Sequence, residues 1–403
     1  MFEINKHNLM KLKIFISKEK LIILLFLATY IYCNLVSLLL FPSDPKIFII
    51  TKIIPLILIG LLIFPIKKIL LNSVSKVWFW SYFFFILVCL VSASFSADQY
   101  ISFRVIFINF FIKLPLIIFN SYINSENKFK MMIRIITIFY LIICSVIIYS
   151  ELSSDISTSG PGLVGIYSKG AVSNLGLTGL TLLLLEKKIF KIFLITIIFF
   201  LCYLSLSVKF NLLVIVFFIS IIISKKKILI PFIVFLTLSY ILSSDLFFSN
   251  LLNYIENSYP EYYSKTIQRV LVLFGFQDVS NYALSDVSKN IDIRKESLKL
   301  FFNNPVFGIG LENERATFIG TMAHSGLISI LIGTGIIGFC FFYFFIFYIL
   351  FQSLKFKYDD VIIICIMYLF YSISNPVYSN PNSVMILFIA SSLFTLRRSK
   401  ILN

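Results

Sequence analysis

Arg294, His324 and the glycine-containing turn between them are the residues whose types and spacing suit chemistry. From Ser285 to Phe302 the apolar residues Val287, Ile291, Leu298, Phe301 and Phe302 recur at three- and four-residue spacing, which predicts one buried face of an α-helix. Arg294 falls on that apolar face, while Ser288, Lys289, Asp292, Lys295, Glu296 and Lys299 take the other. A cation on a buried stripe is costly unless something pairs with it. Two readings stand side by side: an arginine that snorkels or meets a nearby carboxylate, and an arginine held for an anionic ligand. Asn304-Pro305 ends the helix, because proline lacks an amide donor and restrains its predecessor. Gly308 and Gly310 then allow conformations or close approaches that a side chain would block, which makes both candidate substrate-contact positions. His324 stands where a polar loop gives way to an apolar run ending near Phe351. The positive end of a helix dipole disfavours imidazolium, and a neutral imidazole can accept a proton. Such a position suits a general base; the plainer alternative is a histidine that caps the membrane interface.

Further cations lie elsewhere. Lys209 falls in the short polar break from Leu206 to Asn211, and Arg269 sits on a second helical stretch from Tyr262 to Phe274. Arg104 and Lys113 share one apolar run. Intramembrane cations are functional candidates by default. Against that, Lys113 can snorkel inward and Arg104 can sit at the outer interface. Asp359-Asp360 has no partner motif and reads as solvated. With no acidic pair, no His/Cys cluster and no phosphate-binding glycine loop, the set argues against a metal enzyme, a glycosidase or a nucleotide enzyme. It suits transfer from a diphosphate-linked donor. Cations would hold the leaving diphosphate, and His324 would take the proton of an attacking hydroxyl.

The elements that must position these residues are membrane helices. The chain has 403 residues, 59% hydrophobic and only 13% charged, with mean hydropathy +0.97, which predicts an all-α polytopic membrane protein. Apolar runs cover 21–41, 47–65, 77–95, 101–119, 131–150, 163–185, 189–206, 208–223, 228–247, 322–351, 359–374 and 382–396, about twelve spans. The first has no small-x-small cleavage site and reads as a span. The net charge of +16 comes from Lys and Arg in alternate short loops, the positive-inside pattern, and points to a lipid bilayer and away from nucleic acid. Both termini are therefore expected inside. Residues 1–242 would form spans one to nine, 243–321 a large outer loop with amphipathic helices, and 322–403 the last three spans. The six cysteines lie in apolar runs without ligand spacing and read as small hydrophobes.

The pattern Arg294 … Asn304-Pro305-Val-Phe-Gly308-Ile-Gly310 … Ala323-His324-Ser325 … Gly335-Ile-Ile-Gly338 resembles the signature of the O-antigen polymerase and O-antigen ligase superfamily. The resemblance covers the last third of the chain and its topology. It implies a GT-C-like helical architecture in the bacterial inner membrane, with one large periplasmic loop between spans nine and ten. The implied reaction is metal-independent glycosyl transfer from undecaprenyl-diphosphate-linked oligosaccharide, without a cofactor, beside a polysaccharide chain-length regulator as partner. By resemblance His324 is the base, and Arg294, Lys209 and Arg269 contact the diphosphate. Lys209 stands in Ser207-Val-Lys209, where relatives carry Ser-Arg. Arg104 with Lys113 resembles a cation pair of ligases. The short spacing from Gly310 to His324 favours the polymerase, which joins repeat units; a ligase would deliver polymer to lipid A-core. A flippase would show paired repeats of interrupted spans, and none is visible.

Overall fold

A computed structural model describes residues 71–153, 169–205, 208–224, 296–316, 325–375, 377 and 381–402. Among the described residues the fold is all-helical. The principal helices are α1 (Ser73–Ser94), α2 (Gln99–Tyr122), α3 (Glu126–Ser153), α4 (Lys169–Leu185), α5 (Lys188–Ser205), α6 (Val208–Ser224), α7 (Gly326–Phe356), α8 (Asp359–Ser374) and α9 (Pro381–Leu402). The starts of α1 and α2 follow capping chemistry. Asn72 Oδ1 accepts from the Ser75 amide at 2.7 Å, and Asp98 Oδ1 accepts from the Ile101 amide at 3.0 Å. By length and composition α1, residues Glu126–Tyr149 of α3, and α7 can cross a membrane. Their outward faces are apolar: Trp80, Phe84, Leu87 and Val91 stand exposed along α1.

At the centre, α7 packs antiparallel to α1. Ser92 meets Gly333, the rings of Phe85 and Phe342 lie 5.0 Å apart, and Trp78 stacks on Phe345 at 4.9 Å. α8 lies on another side of α7, α2 lies against α1, and α9 closes the group by touching α2, α8 and α4. α3 packs on α4 and α5, and α6 on α4 and α8. One end of the bundle is tied by a buried polar knot. Asn120 donates to Ser75 Oγ at 2.8 Å and accepts from Ser391 and Ser392 at 2.9 and 2.7 Å, joining α1, α2 and α9. Each buried polar atom there has a partner, which makes burial tolerable.

Several expectations change. The runs at 21–41, 47–65 and 228–247, most of the 243–321 loop, and Arg269, Arg294 and His324 lie outside the described residues. Residues 296–303 are helical, as the spacing predicts, but the face is turned: Ser297 is buried and Phe302 is 71% exposed. Phe302 stands out beside Val306 and Phe307 of the following turn, which are exposed to a lesser degree. Residues 206–207 lie outside the described residues, and Lys209, expected in the break, belongs to the first turn of α6. Asp360 has a partner after all, Arg397 at 2.5 Å, while Asp359 is exposed. Cys89, Cys144 and Cys365 are buried and Cys340 is exposed, each on an apolar helix.

Candidate functional site

The Asn304–Gly310 turn is built into α7. Helix 296–303 stops where the Asn304 amide donates to Phe301 O at 2.9 Å, and the chain then folds back with Gly308 N bonded to Asn304 O at 3.1 Å. α7 is kinked at Gly335, whose φ of 63° and ψ of −171° belong to a region open essentially to glycine alone. The kink withdraws the carbonyls of Ile332 and Gly333 from the helix's own ladder. The turn takes them up: Ile309 N donates to Ile332 O and Gly310 N to Gly333 O, both at 2.9 Å. In return Ile336 N donates to Pro305 O at 2.9 Å, and Ser92 Oγ on α1 donates to Gly333 O at 2.7 Å. Gly308, with φ of 72°, passes so close that a Cβ would meet the backbone at Thr334 N, 2.5 Å away. The glycines therefore serve close backbone approach, as the sequence predicts.

Beyond Gly310 the chain is stapled to the start of α2. Leu311, Asn313 and Glu314 are all buried. Asn313 Oδ1 accepts from the Asp98 amide at 2.7 Å, and its Nδ2 donates to Asp98 O at 3.1 Å and to Ser102 Oγ. Ser102 Oγ in turn donates to Leu311 O at 3.1 Å. Asn313 thus satisfies both backbone groups of the α2 cap residue. α7 itself begins at Gly326, with Ser325 as N-cap accepting from Ile328 N at 3.4 Å. The helix therefore starts two residues after His324, where the sequence places the histidine in its first turn. Gly326 abuts the end of α8, since a Cβ there would meet Ser372 O at 2.9 Å.

Of the candidate cations, Arg104 and Lys113 have described side chains, and these two are not gathered at one point. Arg104 is exposed on α2, about two turns beyond the Asp98 staple. Lys113 lies nine residues further, roughly 14 Å along the axis and half a revolution round, so the two do not form a pair. Lys113 is 2% exposed and does not snorkel. Its Nζ donates to Asn109 Oδ1 at 3.1 Å and stands 5.0, 5.6 and 4.7 Å from the ring centroids of Tyr82, Phe85 and Phe342. Three ring faces replace part of its hydration. A cavity of about 20 Å³ beside it has room for about one water. The side chain of Lys209 lies outside the described residues.

Sequence reasoning passed over Ser92, Ser102, Asn313 and Glu314. The run Leu311-Glu-Asn-Glu-Arg looks like a solvated loop, and only the α2 cap makes burial of Asn313 worthwhile. Glu314 adds a buried carboxylate ten residues before His324. No family model matches the chain, and no curated protein matches it either.

Proposed function

We propose that this chain polymerises undecaprenyl-diphosphate-linked oligosaccharide repeat units into O-antigen or a similar surface polysaccharide at the periplasmic face of a bacterial inner membrane. The observation that carries the reading is the junction. The pieces of the sequence pattern that are described, Asn304-Pro305 to Gly310, the helix start after His324, and Gly335 to Gly338, form one hydrogen-bonded unit. A motif whose parts are far apart in sequence and joined in space is what a site requires. In this reading both termini are cytoplasmic, about twelve spans form a GT-C-like scaffold, and a chain-length regulator is a partner.

The acceptor hydroxyl oxygen attacks the anomeric carbon of the donor sugar. The bond from that carbon to the diphosphate oxygen breaks, and its electron pair leaves on undecaprenyl diphosphate. His324 takes the hydroxyl proton. Arg294, with Lys209 and Arg269, neutralises the charge developing on the diphosphate. Diphosphate is a good leaving group, so the step needs no general acid.

The test uses purified protein and synthetic lipid-linked repeat units. His324→Ala should slow transfer by roughly a hundred- to ten-thousand-fold while donor binding survives. Arg294→Ala should weaken donor binding, and Arg294→Lys should recover little, because an ammonium cannot grip two phosphate oxygens as a planar fork does. Full turnover by His324→Ala would falsify the base assignment. In a deletion strain, lipopolysaccharide with a single repeat on the core supports the polymerase. Bare core with accumulated lipid-linked polymer identifies the ligase.

A further inference from the structure

At the end of the bundle opposite the junction, α3 begins four residues after α2 ends. Between its first turns and the short α4–α5 connection lies a cleft of about 600 Å³. Its wall carries four cations, Lys128, Lys130, Arg134 and Lys187, and one carboxylate, Glu186. Glu186 is buried and engaged: it accepts from Thr137 Oγ1 at 3.0 Å and from the Lys187 amide at 3.2 Å. Positive charge therefore predominates at the opening. Two of the cations rest on rings, Arg134 5.3 Å above Phe190 and Lys128 4.2 Å above Tyr122. Ring contacts of this kind restrict the side chains before any ligand arrives. Lys130 meets Glu126 at 2.7 Å, but an exposed pair one helical turn apart contributes little and yields to a stronger anion.

A second observation concerns the surface leading away from the cleft. On α3 the exposed residues at four-residue spacing are Lys130, Arg134, Ile138, Ile142 and Val146. The stripe is cationic for one turn and apolar for the next three. From Arg134 to Val146 this inclined ridge rises about 18 Å, close to one leaflet's share of the roughly 30 Å hydrocarbon core, while turning about a third of a revolution round α3. α5 flanks α3 and leaves Ile192, Phe193 and Phe199 exposed. A free phosphate would use the cations alone. A phospholipid would use the cations for its phosphate and the stripe for its acyl chains.

We propose that this cleft is a binding site for an anionic phospholipid, with the headgroup phosphate between Arg134, Lys130, Lys128 and Lys187 and the chains laid along α3. Basic pockets between membrane helices recognise anionic headgroups in this way. The inference does not depend on the glycosyl-transfer reading.

Native mass spectrometry of the full chain in detergent tests it, with phosphatidylglycerol, phosphatidylcholine or inorganic phosphate added. Phosphatidylglycerol should stay bound under activation that strips phosphatidylcholine. Each basic residue removed should weaken its retention roughly five-fold, so K130Q/R134Q should lose roughly twenty-five-fold, with an unchanged circular dichroism spectrum. K187Q, at an exposed position, gives the same test if the double variant folds poorly. Equal retention of the two lipids, undiminished retention in the variants, or displacement by inorganic phosphate alone would overturn the proposal.

Discussion

Replacing Gly335 by alanine strikes the one residue on which the turn and the kinked helix both depend. Its φ of 63° with ψ of −171° is a conformation that costs a residue with a side chain about 1–3 kcal/mol. The added methyl would also overlap the carbonyl group of Val306 and stand 2.6 Å from Phe307 N. Two outcomes follow, and they cost similar amounts. If the kink persists, the protein bears the strain together with the overlap. If α7 straightens, the turn is expelled and three backbone hydrogen bonds go, those of Ile309, Gly310 and Ile336. At about 1 kcal/mol each, and with one or two ladder bonds to the Ile332 and Gly333 carbonyls remade in the straight helix, that route loses about 1–2 kcal/mol. Such a loss lowers the folding constant roughly five- to thirty-fold. Equilibrium unfolding in mixed micelles reads the loss directly, and limited proteolysis within 304–310 shows which route was taken. Phe344→Ala is the control, since Phe344 is 54% exposed and should change stability little. A Gly335→Ala protein within about 0.5 kcal/mol of the parent, with a protected turn, would refute the argument.

Asn120→Ala should lose about 2–3 kcal/mol in the same unfolding assay, because it strips Ser75, Ser391 and Ser392 of their shared partner in a buried setting. Lys113→Met keeps volume and removes a buried charge, so stability should stay within about 1 kcal/mol or rise, whereas Lys113→Ala should lose about 2–4 kcal/mol to the cavity it opens. Alkaline phosphatase fused after Tyr282 should be active and after Lys226 inactive; the opposite pair of results would reverse the membrane orientation proposed for the site.

The helices were largely legible because apolar runs of bilayer length admit few alternatives. The run at 359–374 is α8, Asp359–Ser374, and the run at 208–223 is α6 less one residue. The turn of Gly308 and Gly310 was legible as a place of close approach, but what it approaches was not. Nothing local marks Gly335 as different from Gly333 or Gly338, and its conformation is set by a partner strand of backbone some thirty residues earlier. Phe302 misled for a related reason: helical spacing identifies an apolar face, but in a membrane protein an apolar residue is as well placed outside as inside. Asp360 and Asn313 show the other limit. A carboxylate or amide in a polar run reads as solvated until the chain brings Arg397 or the Asp98 amide beside it.

Lys113 also fixes an order of events during synthesis. Two of its three rings, Tyr82 and Phe85, come from α1, which leaves the ribosome before it, but the third, Phe342, is made 229 residues later. At about 5–20 residues per second, the ammonium waits roughly ten to fifty seconds for its nearest aromatic neighbour. Of its described partners, Tyr82, Phe85 and Asn109 are in place throughout that interval, and Asn109, one turn away, is the hydrogen-bond acceptor among them.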